Sequence, residues 1–520
     1  MIETCFASKE VDILLFLEGT YPFVKGGVST WVHEMISNMP QFKFGIVFLG
    51  AYKGLYPDLL FDIPENIVHL QIVYLFNKEN KDKLASSMPA KLGKHPEALT
   101  NIQNLHEIFK KSHGCPKDLC EKLPELVPLL KKDEGFDLEH FLHSEEAWDY
   151  INEQYEVYSS TPSFIDYFWN VRNMHLPLWQ MAELVDQLPR ARILHTISTG
   201  YAGLLSTMVH QRYGYPLILS EHGLYSKERS IELLQTTMFP KLDKLIADNK
   251  NFNYEHTVWL NFFDSLARTC YTYANPIISL YQSAQDQQIA AGADPAKTRI
   301  IPNGVNIPRF AAARRSHNVS IPKIVCFVGR IVRIKDVKTF IRSVAIMTAE
   351  DPSIRAWIRD VGNTDPEYLT ECIDYIHLIG QEKHIEFIEE DNMINILAQI
   401  GLLILSSVSE GMPLVLLESI AAGVPVLSTA VGSCGEIIEG KDIDDRAMGK
   451  CGAVVPITKA NLLAEEALKL LNNPGLWRQA QEVCIKRVEK YYDEKTMVHS
   501  YSEIYESFLS DSDKNSNSAR

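Results

Sequence analysis

Gly401-Leu402-Leu403-Ile404-Leu405, followed shortly by Ser409-Glu410-Gly411-Met412-Pro413-Leu414-Val415-Leu416-Leu417-Glu418, reads as a strand, a loop and a helix in succession. The apolar run suits a buried strand, Pro413 suits a first helical turn, and Gly423 suits the end of the helix. The loop then lies at a strand's carboxyl end, where open α/β sheets bind ligands. Glu410 and Glu418 place two carboxylates there, and a carboxylate accepts paired hydroxyls of a ribose or hexose well. A polyol ligand is the expectation. The plainer alternative is that Glu410 only complements the helix dipole and Glu418 is a solvated helix residue.

Working outward, the same plan recurs on both sides. Ile324–Val328, Ala356–Ile358, Ile385–Ile388, Val424–Ser428 and Ala453–Val455 read as further strands alternating with helices, which predicts a doubly wound sheet over residues 316–495. Ala311–Ser320 is polar, lacks periodicity and reads as a linker. Residues 1–315 read as an earlier α/β domain. Val11–Leu17 is its first buried strand, Gly26-Gly27 its loop, and Val28, Trp31, Val32, Met35, Ile36 and Met39 the apolar stripe of its first helix. Gly45–Gly50, Ile193–His195 and Leu217–Ser220 look like strands, with a helix at Tyr201–Tyr213, so a parallel sheet is expected. Residues 77–158 are charged, Leu-rich and interrupted by Pro116, Pro124 and Pro128, a helical insertion. Its His106, His113, Cys115 and Cys120 match no standard zinc spacing. Residues 496–510 read as a terminal helix and 511–520 as a polar, disordered tail.

Composition narrows the functions. A net charge of −15 argues against a nucleic-acid surface, so an anionic ligand needs local cations. Nine cysteines without paired spacing fit a reducing compartment, and no apolar run approaches a membrane span, so the expected location is cytoplasmic. The local cations are Arg330 and Lys335, just beyond a strand end in Gly329-Arg330-Ile331-Val332-Arg333-Ile334-Lys335-Asp336. They suit the oxygens of a diphosphate and the charge that grows on a departing nucleoside diphosphate. Gly26 and Gly27 let backbone N–H groups approach the same phosphates. A surface salt bridge and an ordinary turn are the bland readings of those two features. His222 follows another strand in Leu219-Ser220-Glu221-His222-Gly223 and would face the cleft, orienting a sugar or acting as a base. Asp442-Ile443-Asp444 and Asp511-Ser512-Asp513 sit in a charged loop and in the tail, away from any strand end, so the expected site is metal-free.

The chain resembles the retaining glycosyltransferases of family four, of GT-B architecture, whose Glu-x7-Glu signature corresponds to Glu410 and Glu418. Glu18-Gly19-Thr20-Tyr21-Pro22 leading to Gly26-Gly27-Val28-Ser29, Arg172-Asn173-Met174-His175, Glu221-His222-Gly223 with Lys227-Glu228-Arg229, and Val431-Gly432-Ser433-Cys434 resemble the PelF-type branch, which makes Pel exopolysaccharide. Residues 357–362 lack the Gly-Pro pair usual in that branch, and Ala430 replaces a common aspartate.

The resemblance implies two Rossmann-like domains facing across a cleft, with the terminal helix crossing back to the first. It implies that Glu418 binds ribose, Glu410 contacts the transferred sugar, Arg330 and Lys335 hold the diphosphate, and Gly27 touches it from the opposite domain. His222 would line the sugar pocket, and Gly411, Met412, Pro413 and Leu414 would offer backbone N–H groups. The implied reaction moves a hexosyl unit from a UDP-sugar, UDP-glucose or a UDP-N-acetylhexosamine, to a growing exopolysaccharide, without a metal ion or other cofactor. Proteins of an inner-membrane synthase complex are the implied partners, and nucleic acid is not one. The alternatives are a storage-glucan or sucrose-type synthase, and a non-catalytic subunit that binds nucleotide sugar.

Overall fold

The computed structural model describes residues 2–76, 144–158, 163–235, 254–316, 319–362 and 364–518, and residues 100, 103 and 141 besides. Most of the expected helical insertion, with His106, His113, Cys115 and Cys120, lies outside the described residues. The helix Glu145–Tyr158 is described.

The first domain is built on eight strands: β1 (Ile2–Ala7), β2 (Glu10–Glu18), β3 (Phe44–Gly50), β4 (Ile67–Tyr74), β5 (Arg190–Thr196), β6 (Leu217–Glu221), β7 (Ile277–Ser279) and β8 (Thr298–Ile300). Their order is β1-β4-β3-β2-β5-β6-β7-β8. Seven run parallel, as the alternation of strand and helix predicts. β1 is the exception, pairing antiparallel with β4 at the sheet edge. Its residues are mostly exposed, so it carries no apolar run from which to be read. The second domain has β9 (Ile324–Gly329), β10 (Arg355–Asp360), β11 (Ile385–Ile388), β12 (Leu402–Leu405), β13 (Val426–Thr429) and β14 (Gly452–Val455). Their order is β11-β10-β9-β12-β13-β14, all parallel.

Both faces of each sheet are covered, which is why the central strands read as unbroken apolar runs. Leu14 and Phe16 of β2 enter one core while Ile13, Leu15 and Leu17 enter the other. Leu403 and Leu405 of β12 likewise oppose Leu402 and Ile404. This is the GT-B fold of two doubly wound α/β domains.

The chain crosses between domains twice, and the crossings lie side by side. Val305 donates its N–H to the Tyr492 carbonyl at 2.9 Å, and Glu494 donates to the Val305 carbonyl at 3.2 Å. A Cβ on Gly304 would lie 2.4 Å from Glu494 Cα, so only glycine permits this approach. Arg314 and Arg315, placed by the sequence reading at the end of the first domain, donate instead to the Ala421 and Ile400 carbonyls of the second. The first crossing therefore falls near residues 301–305, earlier than the polar stretch suggested.

The last helix, Glu494–Ser518, returns to the first domain. Trp31 Nε1 donates to Met497 Sδ at 3.0 Å, and Arg192 donates to the Leu509 carbonyl at 2.8 Å. Tyr505 and His195 hydrogen-bond at 2.7 Å, and Tyr501 reaches Ser220 at 3.0 Å. The helix runs to Ser518, through most of the segment read as a disordered tail, because extending an established helix costs far less than starting one.

Candidate active site

On the second-domain side, β9 ends at Gly329 and the chain makes a tight turn at Arg333–Lys335 before the helix Val337–Glu350. Asp336 takes a left-handed conformation (φ 44°) and caps that helix, its carboxylate accepting from the Thr339 N–H. The neighbouring strand locks this turn. Ser406, just past β12, donates to the Lys335 and Asp336 carbonyls at 3.1 and 2.9 Å, and the Val408 N–H donates to the Ile334 carbonyl at 2.8 Å.

Lys335 is thereby set against Glu410, with Nζ to Oε1 at 2.5 Å and side chains only 18% and 9% exposed. Ser407 donates to the same Glu410 oxygen at 2.5 Å, while Thr429 fixes the Ser407 carbonyl at 2.5 Å. Both donors converge on one oxygen, which leaves the other to a ligand hydroxyl. Arg330 is partly buried, and its guanidinium makes no hydrogen bond or ion pair among the described residues. The motif Val431-Gly432-Ser433-Cys434 is the floor of this loop. Gly432 (φ 53°) would place a Cβ 2.2 Å from the Gly411 carbonyl oxygen, and Ser433 donates to that oxygen through its N–H at 2.9 Å and its hydroxyl at 3.2 Å.

The helix Leu414–Ala421 starts at this loop, capped by Pro413, so its unsatisfied N–H groups point towards the cleft end. One of the expected backbone donors is corrected here. Pro413 has no N–H to give. Met412 is buried and serves the connector, its carbonyl accepting from the Asn303 side chain at 3.2 Å and its sulfur from the Asn303 N–H at 3.3 Å. The carboxylate of Glu418, in the second turn, accepts no hydrogen bond among the described residues. Burial raises its carboxyl to about 7, opposed by the Arg309 guanidinium.

The first domain supplies the facing wall. Gly26 and Gly27 start the helix Gly27–Ser37 after β2, and a Cβ on Gly27 would lie 3.8 Å from the Leu414 side chain. The two helix N-termini therefore meet across the cleft. A Cβ on Gly411 would lie 2.2 Å from the His222 carbonyl oxygen, so the end of β6 abuts the Glu410 loop. The His222 ring is buried edge-on to Trp31 at 4.3 Å, with no partner for Nε2. Burial lowers its pKa to about 3. His222 is neutral at physiological pH, which fits an orienting role and disfavours the general-base alternative.

Ten of the eleven candidates thus gather at one interdomain seam, with Arg330 in the turn after β9 that also carries Lys335, while the Asp-x-Asp pairs lie elsewhere. Asp442 caps the short helix Ile443–Arg446, accepting from the Asp445 N–H at 2.9 Å. Asp511 and Asp513 fall near the end of the last helix. Farther along the seam a cavity of about 840 Å³ opens between Phe23, Leu55 and Leu60 of the first domain and Ile358, Val361 and Phe387 of the second. Residues 358–362, where the Gly-Pro pair is missing, form part of its wall.

The sequence reading did not single out Ser407, Glu34 or Glu18 as separate site residues. Ser407 had a signal, a hydroxyl two residues past the β12 run. Glu34 lies partly buried on the helix Gly27–Ser37, its carboxyl raised to about 7 by burial and then by Glu494 and Glu418. Glu18 closes β2, accepting from Tyr225 OH at 2.6 Å and from the Ala202 N–H at 3.2 Å. Among the described residues no helix is long and apolar enough to cross a membrane.

Residues 310–491 match the family described as "Glycosyl transferases group 1", and residues 11–296 match "Domain of unknown function (DUF3492)". The N-acetyl-alpha-D-glucosaminyl L-malate synthase of Bacillus anthracis is 29% identical over 37% of this chain and 47% of its own length. A D-inositol 3-phosphate glycosyltransferase of Streptosporangium roseum is 23% identical over 47% of this chain and 58% of its own. The chain spans about half the length of these curated relatives. Among solved structures, sucrose-phosphate synthase from Thermosynechococcus elongatus aligns over 96% of this chain and 99% of its own, with TM-score 0.55 and 15% identity. HepE of Anabaena, solved in complex with UDP, aligns over 95% and 100%, with TM-score 0.56 and 13% identity. The chain belongs to the DUF3492 family, whose domain fills its first half, and joins it to a glycosyl transferases group 1 domain in a GT-B fold.

Proposed function

We propose that the protein is a retaining glycosyltransferase that moves a hexosyl unit from a UDP-sugar to a growing polysaccharide of the Pel type. The observation that carries this reading is the Lys335–Glu410 pair, held at 2.5 Å on a loop whose following helix meets a glycine-started helix of the opposite domain. A diphosphate lying between Arg330, Lys335 and the helix N-termini would meet positive charge from both domains. As the glycosidic bond breaks, negative charge grows on the leaving phosphate, and fixed cations stabilise that state more than the ground state. Glu410 keeps one carboxylate oxygen for a hydroxyl of the transferred sugar. Glu418, without a competing donor, is free to accept the ribose hydroxyls. His222, neutral, offers a nitrogen to the sugar.

In this reading the acceptor attacks on the face from which the phosphate departs, and that phosphate takes the acceptor's proton. Arg330 and Lys335 supply the positive charge, so no metal ion or other cofactor is invoked. HepE has been solved with UDP-glucose, which makes that donor the first to try here. A cytoplasmic protein that meets its acceptor through inner-membrane partners completes the reading.

The test is calorimetry of the full chain with UDP, UDP-glucose and UDP-N-acetylglucosamine, with and without a chelator, followed by NMR of the product's anomeric centre. Binding of UDP that withstands the chelator, with an axial donor linkage kept in the product, is expected. Absence of UDP binding at millimolar concentration, or an inverted product, rejects the proposal.

A further inference from the structure

We propose that Glu18 orients the acceptor hydroxyl, from the wall of the cleft opposite the diphosphate cradle. This deepens the glycosyltransferase reading and rests on it. Glu18 ends β2 next to the centre of the first sheet, on the side that faces the Glu410 loop. Its carboxylate is held by donors from two other connections: the Tyr225 hydroxyl at 2.6 Å, after β6, and the Ala202 N–H at 3.2 Å, after β5. The packing around it leaves no slack. A Cβ on Gly200 would come within 2.3 Å of the Tyr225 ring and 2.6 Å of Glu18 Oε2, so the glycine is what lets the three residues meet. Tyr225 is buried, and its helix begins three residues after His222, whose carbonyl touches Gly411. Glu18 is therefore linked, through the Tyr225 hydrogen bond and the three residues back to His222, to the loop bearing Glu410.

Two donors occupy half of a carboxylate's acceptor positions. Glu18 is only partly buried, so the remaining positions are open, and Thr20, two residues on, has a buried hydroxyl without a partner. The chemistry of the occupant follows from charge. A fixed anion repels a diphosphate, which places the donor's phosphates on the Arg330 and Lys335 side and leaves this wall to an uncharged ligand. The nearby Arg229 guanidinium, 5.0 Å from the Tyr225 ring, disfavours an amine. A neutral sugar hydroxyl donating to Glu18 satisfies both conditions. Glu18 is in this account a positioning residue for the acceptor, and proton transfer stays with the leaving phosphate.

The experiment compares parent, Glu18→Gln and Tyr225→Phe proteins. UDP release from UDP-glucose and UDP-N-acetylglucosamine is followed against titrations of cellobiose and N,N′-diacetylchitobiose, and UDP affinity is measured by calorimetry. Glu18→Gln should raise the acceptor KM by about tenfold with UDP affinity unchanged, and Tyr225→Phe, which loosens the carboxylate but keeps it, should raise KM less. An unchanged acceptor KM, or a UDP affinity that falls in step with it, overturns the role of Glu18. A parent that releases no UDP from either donor rejects the glycosyltransferase reading itself. A parent whose release saturates with neither disaccharide rejects the neutral-saccharide acceptor.

Discussion

On the second-domain wall of the cleft the central polar groups are charged and held by contacts within that domain. Lys335, Glu410, Ser407 and Ser406 all come from the ends of two adjacent strands, β9 and β12. On the first-domain wall the groups are largely neutral and buried, and they are fixed from far along the chain. His222 packs on Trp31, Trp31 is tied to Met497, and His195 bonds both Ser220 and Tyr505. Burial lowers the His195 and His222 pKa values to about 3, so neither carries charge at physiological pH. The contrast assigns labour. A wall with fixed cations suits the part of a ligand whose charge changes, and a neutral, rigid wall suits a part that must only be placed.

Removing the central cation breaks that contrast most severely. Lys335→Ala leaves Glu410 with Ser407 alone and strips the cradle of one positive charge, so turnover should fall by about 10²–10³-fold while UDP-sugar affinity changes far less. Equal turnover in variant and parent, measured at saturating donor, would remove Lys335 from the chemistry. Glu418→Ala should act on binding instead, weakening UDP by roughly 1–3 kcal/mol through the lost ribose contact. Calorimetry reads this directly, and unchanged UDP affinity would mean that the carboxyl meets no ribose.

What could be read from the chain follows the same division. Glu410 and Glu418 were legible because strand, loop and helix lie in one local stretch, and Lys335 because it lies just past another apolar strand, a run covered on both faces that marks a strand plainly. β4 was missed because His69 and Gln71, buried and bonded to each other at 3.3 Å, interrupt its apolar pattern. β7 is three residues long, too short to show a period. The first-domain wall resisted for a different reason. The Glu18–Tyr225 contact joins residues 207 positions apart, and the Trp31–Met497 contact spans 466, distances over which no local pattern carries information. The terminal helix was anticipated as an element, but its docking through Tyr501 and Tyr505 depends on polar partners buried in another domain.

One cluster belongs to both walls, and its pH dependence sharpens the comparison. Glu34 on the first domain faces Glu418 on the second and Glu494 at the returning helix, with Arg309 of the connector the cation among them and Asn38 and Asn306 bonded to Glu494. Burial first, and then the other two carboxylates, raise Glu34 to about 7 from an ordinary value of 4.5. A carboxyl raised on folding binds more protons in the native state than in the unfolded one between those values, so native stability falls as pH rises through that window. Glu34→Gln removes the charge and keeps the shape. The parent should therefore lose stability relative to this variant between pH 5 and 8, by roughly 1 kcal/mol once partial exposure is allowed for. Urea unfolding of both proteins across that range measures the difference. A parent that gains on the variant with rising pH would show that Arg309 outweighs the carboxylates, and that the seam between the domains is held by an ion pair rather than strained by like charges.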